Sequence, residues 1–240
     1  MPSVYPRLRA RAATGAALAG TFAALLAGAP AASASIADLQ VYPPGTAPNG
    51  KTFSQHAASW WKFVLAQPAA TNPLTDDTGE DADNNQSGFT WYLAGTFAGD
   101  PAVTRSVTIP LGRTIVIPVV NGLYGAFPED PADQRTEAYV RSQVTPSLRA
   151  ATDLKLSIDG SQVTDVKGRY FEESTLFNFT FGANNVFGVP AGTQLTPAAD
   201  AGYYLALYPL LPGNHTLKIS GTVPGSGAVD VTYKIKVSLF

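Results

Sequence analysis

The sequence feature that most constrains the fold is a stretch of strict alternation near the carboxyl end of the chain. In residues 229–237 every odd position is apolar and every even position is polar. A period of two places successive side chains on opposite faces of an extended strand, so one face packs on a core and the other meets water. The pattern therefore predicts that Val231 and Tyr233 are buried. It predicts exposed side chains at the intervening polar positions, which are Asp230, Thr232 and Lys234.

Seven further segments carry strand patterns, and turn residues separate them. Residues 113–120 are almost entirely apolar, which is typical of a strand that is covered on both faces. Residues 154–158 lead into Asp159-Gly160, a dipeptide that favours a tight hairpin. The other predicted strands cover residues 89–94, 103–109, 177–181, 203–208 and 215–219.

Two helices interrupt the strand pattern. Thr52 is followed three residues later by Gln55, a capping box that predicts the start of the first helix. The second helix is predicted to begin at Asp130 as its N-cap, with Pro131 in the first helical position. Pro146 is expected to kink this helix or to end it early. The apolar stripe of the first helix consists of Ala57, Trp60, Trp61, Val64 and Leu65.

Together these elements predict an all-β fold, an antiparallel β-sandwich or jelly roll with two peripheral helices. Residues 35–240 are enough for a single domain with a sizeable core. The chain has no Cys, and its one Met is the first residue. The fold must therefore be held by burial and hydrogen bonds rather than by disulfides, and thiolate or thioether metal sites are excluded.

Residues 1–34 have the three-part layout of a secretory signal peptide. Three arginines precede a small, apolar stretch over residues 12–27, and a small-x-small pattern precedes Ser35. Cleavage is therefore expected between Ala34 and Ser35. The apolar stretch is shorter than the ~20 residues of a membrane span. We expect a secreted, extracellular protein exported by the general secretory route, without stable membrane insertion after cleavage.

The charge of the exported part argues against two classes of partner. Residues 1–34 hold three of the 16 basic residues and none of the 18 acidic ones, which leaves 13 basic and 18 acidic residues and a net charge of −5. Nucleic acid binding needs clustered Lys and Arg, and anionic membranes attract basic segments. Neither partner is therefore expected.

Five carboxylates within eight residues form an acidic loop over residues 76–83. Asp81, Asp83 and Asn85 match the first three ligand positions of a calcium loop, although Gln86 stands where that loop needs Gly. The segment is therefore either a non-standard Ca²⁺ site, the one cofactor that the sequence suggests, or a solvated acidic turn. The five carboxylates are Asp76, Asp77, Glu80, Asp81 and Asp83.

The acidic loop has a second possible use, in acid–base catalysis on a glycosidic bond. Asp76 could act there with support from His215 or Arg105, and these three are the catalytic candidates. A pair of catalytic carboxyl groups must flank the scissile bond, and nothing in the sequence selects the second one. His215 equally fits a structural bond to a turn carbonyl.

Trp60, Trp61 and Trp91 are candidates for stacking on a sugar, and they fit a core equally well. Neighbouring residues of a helix project about 100° apart, so Trp60 and Trp61 cannot both point straight into one core. At least one of the two is therefore expected to be partly exposed. Together with Gln86 and Asn121, the three tryptophans form the predicted binding set for an extracellular polysaccharide.

Short motifs spread over most of the chain form a series. They comprise Trp60-Trp61, Asn72-Pro73, residues 76–79, 86–88, 91–96, 158–160, 202–204 and 210–216, together with Arg105. This series resembles a family of secreted bacterial β-rich proteins of uncharacterised function. The resemblance implies export and a β-rich fold, and it implies no reaction. It also implies the paired loss of two Cys near Ala82 and Ser106 that would link the acidic loop to a strand.

Two functions follow from these observations. The first is a non-catalytic β-sandwich that binds an extracellular ligand such as a polysaccharide through exposed aromatic side chains. The second is a hydrolase or lyase on such a polymer, using acidic-loop carboxylates with His215 or Arg105. A cleft where Asp76, Arg105 and His215 converge would favour the enzyme, and an exposed aromatic strip would favour the binder.

Overall fold

The computed structural model describes residues 34–239, so the predicted signal peptide lies outside the described residues except for Ala34. Two β-sheets are accompanied by three α-helices, and none of these helices has the length and apolarity to cross a membrane. The helices are α1 (Phe53–Leu65), α2 (Glu137–Arg149) and α3 (Val166–Arg169). The strands are β1 (Thr90–Tyr92), β2 (Val103–Pro110), β3 (Thr114–Gly125), β4 (Thr152–Ile158), β5 (Ser161–Gln162), β6 (Phe171–Glu173), β7 (Phe177–Thr180), β8 (Gln194–Leu207), β9 (Gly213–Val223) and β10 (Gly227–Ser238).

Each sheet has five strands. The first sheet has the order β1-β3-β8-β6, with β7 also paired to β8, and the second has the order β2-β10-β9-β4-β5. The prediction of a β-rich fold is confirmed. The long strand β8 begins nine residues before the predicted segment at residue 203, because Pro197 and Gly202 interrupt its strand pattern in the sequence.

The prediction that the sheets are purely antiparallel is wrong. β1 runs parallel to β3, and β10 runs parallel to β2 over eight paired residues. The reason lies in the short turn between β2 and β3. It carries the chain from the second sheet to the first, so these consecutive strands do not form a hairpin with each other. β2 pairs instead with the last strand of the chain.

The apolar residues of the alternating segment 229–237 contribute to the core between the sheets. Val231 and Tyr233 are fully buried, while Asp230 and Lys234 are exposed, as predicted. Thr232 is half-buried rather than exposed. Aliphatic side chains of β3 and β8 face these residues from the first sheet, and burial of such apolar surface is the main force that holds the sheets together.

Helix α1 covers the outer face of the first sheet. Its predicted capping box is confirmed: the Gln55 amide donates to the Thr52 hydroxyl (3.2 Å), and the Thr52 amide donates to the Gln55 side chain (2.9 Å). The apolar stripe of α1 packs against Val116, Tyr204 and Ala206 of β3 and β8. Both faces of the central strands are therefore covered, as the apolar run in β3 predicts.

Helix α2 does not begin where the sequence predicts. The Asp130 carboxylate caps a turn by accepting from the Phe127 amide (2.8 Å), and α2 starts at Glu137 with Thr136 as its N-cap. Pro146 lies inside the helix without ending it. Leu148 packs on Gly122, on the side of the first sheet that also faces the second sheet. Val166 of α3 belongs to the same core, and α1 packs on the first sheet, so none of the three helices lies across the outer face of the second sheet within residues 34–239.

Gly202 tests the pairing of β3 with β8. A Cβ atom at this position would lie 2.6 Å from the Asn121 Cβ and 2.7 Å from the Val120 carbonyl oxygen. Gly202→Ala should therefore lower the free energy of unfolding by about 1–3 kcal/mol or more, because the neighbouring backbone must move. Urea denaturation of the purified protein measures this change.

Gly182→Ala is the matched control, because nothing lies within 4 Å of a Cβ atom at that position. This variant should unfold within about 0.5 kcal/mol of the wild type. Equal midpoints for the two variants would contradict the close approach of β3 and β8.

Candidate functional site

Arg105 is a buried anchor between the two sheets and the acidic loop. Its side chain is 1% exposed, and its Nη1 donates to the carbonyl oxygens of Ala94 and Gly95 and to the Tyr233 hydroxyl, each at 2.9 Å. Its Nε donates to the carbonyl oxygen of Asp76 at 2.6 Å. The guanidinium is thus engaged by the protein's own acceptors. Its position supports a structural role better than a catalytic one.

The Asp76 carboxylate fixes the backbone of the acidic loop by accepting hydrogen bonds from its amides. Its Oδ1 accepts from the amides of Thr78 (2.7 Å) and Gly79 (2.9 Å), and its Oδ2 accepts from the Asp81 amide (2.9 Å). Partial burial raises the pKa of the Asp76 carboxyl, but the hydrogen bonds from these amides and from the Thr78 hydroxyl outweigh it and hold this pKa below its ordinary value. Asp76 therefore stays ionised, which does not suit a general acid.

The acidic loop closes the free edge of the second sheet. The Ser106 amide of β2 donates to the Thr78 carbonyl oxygen at 2.7 Å, and a Cβ atom on Gly79 would lie 2.6 Å from the Ser106 carbonyl oxygen. This segment takes up hydrogen-bonding groups that an edge strand otherwise leaves open.

The three predicted calcium ligands follow in the same segment. Asp81 accepts from the Asn84 side chain at 2.9 Å, whereas Asp83 and Asn85 are exposed. Within residues 34–239, no group of three or more His, Cys, Asp or Glu side chains is arranged to hold a metal ion. The geometry adds no support for Ca²⁺ here, and the calcium site stays a prediction.

Gln86 ties the end of the acidic loop to β1. Its Nε2 donates to the carbonyl oxygens of Ala82 (2.8 Å) and Tyr92 (2.7 Å), and its Oε1 accepts from the Tyr92 amide (3.0 Å). These three bonds occupy the amide group from both sides. Gln86 therefore has little left to offer a ligand.

His215 joins two loops at the end of the second sheet. Its Nδ1 lies 2.7 Å from the Asp159 Oδ2, and its Nε2 lies 2.9 Å from the Leu211 carbonyl oxygen. Both partners are acceptors, so the ring binds them best with a proton on each nitrogen. Partial burial alone lowers the pKa of His215, but the bonds to Asp159 and Leu211 and the Asp159 charge raise it above its ordinary value.

The catalytic candidates are therefore not brought together as an active site. Asp76 and Arg105 meet, but the guanidinium bonds the Asp76 main chain rather than its carboxylate. His215 shares no hydrogen-bond partner with either residue. None of the three lines either of the two hollows described below.

The three tryptophans of the predicted binding set are all buried, so they do not form an exposed aromatic platform. Trp60, Trp61 and Trp91 are 1%, 6% and 6% exposed. Trp60 and Trp61 pack edge to face with ring centres 5.1 Å apart, so both fit beneath α1 despite their different directions. Their ring nitrogens find acceptors in the Leu93 carbonyl (2.8 Å) and the Asp200 carboxylate (2.7 Å).

Asp200 is a buried carboxylate that the site predicted from the sequence does not include. It is fully buried on β8, where its Oδ2 accepts from Trp61 Nε1 and from the Tyr204 hydroxyl (3.0 Å). Asn121 extends this network by donating to the Tyr204 hydroxyl at 2.8 Å. Burial raises the pKa of Asp200 to about 7, although the hydrogen bonds to its carboxylate act in the opposite direction. A single carboxylate within an apolar strand is the one signal that could have identified it.

A cavity of about 80 Å³ lies beside this network and is lined in part by Trp60, Trp61 and Asn121. A second hollow, of about 260 Å³, lies between β7 and β8. Sites for small ligands usually measure about 300–1,000 Å³. Neither of these two hollows is large enough for an oligosaccharide.

The outer face of the second sheet is polar and is here called the open face. Its hydroxyl groups form no side-chain hydrogen bonds within residues 34–239, so they are free to bind a ligand. Adjacent strands lie about 4.8 Å apart and alternate residues about 6.7 Å apart, which makes a regular grid. The open face comprises Thr104, Ser106, Thr108, Lys155, Ser157, Asn214, Thr216, Lys218, Ser220, Thr222, Asp230, Thr232, Lys234 and Lys236.

Tyr233→Phe tests the role of the Arg105 anchor. The Tyr233 hydroxyl donates to the Ala94 carbonyl oxygen (2.7 Å) and accepts from Arg105 and from the Ala94 amide (3.2 Å). Its removal takes one partner from Arg105 and from the Ala94 carbonyl oxygen, which still bind each other, and leaves the buried Ala94 amide without its acceptor. We expect a loss of about 1–3 kcal/mol in the free energy of unfolding, measured by urea denaturation. Tyr208→Phe is the control, because Tyr208 is 40% exposed, and it should change little. Equal stability of the Tyr233→Phe and wild-type proteins would contradict the anchor.

The His215–Asp159 pair predicts a pH dependence. The pKa of His215 is raised on folding, so the stability from the pair is complete below the unfolded value of about 6.5 and is lost as pH rises through the folded value. His215→Gln should therefore lower Tm more at about pH 5.5 than at about pH 8.5. Asp159→Asn should flatten this dependence, because the neutral amide no longer favours the imidazolium. A Tm deficit of His215→Gln that is the same at both pH values would contradict the prediction.

Comparison with protein-family models, curated proteins and solved structures finds no match to this chain. The resemblance to secreted bacterial proteins therefore stays a prediction, and so does the lost Cys pair near Ala82 and Ser106. The function has to be inferred from the chemistry of the protein's own surfaces.

Proposed function

We propose that this chain is an exported, non-catalytic β-sandwich of jelly-roll type that binds an extracellular polysaccharide on its open face. The observation that carries the proposal is the grid of unpaired hydroxyl groups on β2, β10, β9 and β4. Sugars present hydroxyl groups that both donate and accept, and Ser and Thr side chains can do the same. An open face, rather than a pocket, suits an extended polymer.

The location of the aromatic side chains modifies the binding mode expected from the sequence. With Trp60, Trp61 and Trp91 buried, stacking on a sugar ring by these residues is not available. Polar contacts spread over several strands replace it. Such contacts are individually modest, at about 0.5–1.5 kcal/mol each, so useful affinity requires a ligand that spans many of them at once. A repeating polymer meets that requirement.

Nothing in the site favours the alternative, a hydrolase or lyase. The Asp76 carboxylate accepts hydrogen bonds from three backbone amides, and Arg105 is buried among carbonyl oxygens. The His215 ring is held by the Asp159 carboxylate and the Leu211 carbonyl oxygen. A general acid needs a pKa near the working pH and access to the leaving group. The low pKa of Asp76 does not meet the first of these requirements.

Affinity electrophoresis of the mature protein in gels that contain soluble polysaccharides tests the proposal. We expect retardation by at least one polymer. The triple variant Thr104→Val/Thr216→Val/Thr232→Val, which removes three hydroxyl groups from the open face but keeps the branched shape, should weaken it about tenfold. The control is Thr71→Val/Thr175→Val/Thr180→Val, which changes three exposed threonines elsewhere.

Two outcomes would overturn the proposal. Equal loss of binding in both triple variants would remove the open face from the function. Release of new reducing ends from a polymer during incubation with the wild-type protein would show a hydrolase instead of a binder.

A further inference from the structure

We infer that the ligand of the open face is an anionic polysaccharide, one that carries carboxylate, sulfate or phosphate groups. This inference rests on the proposed function and specifies its ligand. Four of the seven Lys residues in the sequence, Lys155, Lys218, Lys234 and Lys236, lie on the open face. All four are exposed.

The strand register arranges these lysines as a stripe. Lys218 pairs with Thr232 across β9 and β10, which places it diagonally next to Lys234. Ser220 pairs with Lys155 across β9 and β4, which places Lys155 diagonally next to Lys218. Diagonal neighbours in a sheet are about 7–8 Å apart, and Lys236 continues the stripe about 6.7 Å along β10. The stripe therefore crosses three adjacent strands.

The positive charge of the stripe is not neutralised by the protein. None of the four lysines forms an ion pair within residues 34–239. Three carboxylates on or beside β4 and β10 lie near the stripe: Asp159 is bound to His215, Asp230 lies in the same row as Lys155 but on β10, and Asp153 stands at the irregular start of β4. The acidic loop borders the face at Ser106 of β2, the cross-strand neighbour of Lys234, and its exposed Asp77 and Glu80 add negative charge on that side. Lys218 lies on β9, two strands away from that border.

Protection of sheet edges does not explain the stripe. Natural proteins place Lys on exposed edge strands to prevent pairing with other chains. The edge strands of the second sheet are β2 and β5, whereas Lys218, Lys234 and Lys236 lie on β9 and β10, which have partners on both sides. Lys155 lies on β4, which β5 pairs only at Ser157 and Ile158. Repulsion among these neighbouring charges costs stability in the free protein, and an anionic ligand relieves it.

A polysaccharide fits this face better than a nucleic acid. Nucleic acids carry closely spaced phosphates and bases, which favour dense basic clusters and exposed aromatic rings. The outward-facing residues of the open face include four lysines but no arginine and no aromatic side chain, because Arg105 and Tyr233 of these strands point inward, and hydroxyl groups lie between the charges. Charges several ångströms apart among hydroxyl groups match a chain of sugars in which some rings carry an acidic group.

The test compares four probes, namely polygalacturonate, dextran sulfate, neutral dextran and double-stranded DNA, by biolayer interferometry with the immobilised mature protein. We expect binding to at least one anionic polymer, no binding to dextran, and weaker binding as salt rises, because salt screens exposed charges. Lys218→Gln/Lys234→Gln/Lys236→Gln should weaken binding about tenfold. The control Lys51→Gln/Lys62→Gln/Lys167→Gln makes the same change in net charge away from the open face and should bind within about twofold of the wild type.

The outcomes separate this inference from the proposed function. Dextran bound as tightly as the anionic polymers, or equal losses in the two lysine variants, would overturn the anionic ligand while polysaccharide binding stands. Binding of double-stranded DNA more tightly than either anionic polymer at physiological salt would overturn both in favour of nucleic acid. Binding of none of these probes, together with a negative result in the electrophoresis panel, would also overturn both.

Discussion

The buried guanidinium of Arg105 is the interaction on which the arrangement of this protein depends. Arg105 and Tyr233 belong to the second sheet, Ala94 and Gly95 follow the first strand of the first sheet, and the Asp76 carbonyl belongs to the acidic loop. One side chain therefore connects three parts of the molecule that are distant in sequence. Burying a charge is costly unless it is fully hydrogen-bonded, so the buried position of Arg105 depends on all of these acceptors being in place.

The parts of the fold that the sequence predicts well are those set by local chemistry. Alternation in residues 229–237 correctly identifies the buried face of β10, and Thr52 with Gln55 correctly marks the start of α1. The predicted start of α2 is wrong, although Asp130 followed by Pro131 is a typical helix start. The Asp130 carboxylate accepts from the Phe127 amide and so caps a turn that precedes the helix. Local signals can identify a cap, but they do not decide whether it caps a turn or a helix.

The parts that the sequence does not predict depend on partners far along the chain. Trp61 can be buried because Asp200, 139 residues later, accepts from its ring nitrogen. The parallel pairing of β2 with β10 has no local signature at all. The lysine stripe has the same origin, since each lysine alone is only the exposed position of an alternating strand. Register, and not composition, brings Lys155, Lys218 and Lys234 together.

The order of β2 and β10 in the second sheet also affects when the chain can fold. β2 ends at residue 110, and its partner strand begins at residue 227, so the edge of this sheet cannot form until the chain has been synthesised beyond residue 227. Contacts between such distant segments fold slowly, because a long loop must be closed before any of them stabilises the structure. A chain of this kind stays open for longer than one built from hairpins. That delay suits a protein that has to cross a membrane unfolded, as the predicted secretory route requires, and it leaves the final folding step to the compartment beyond.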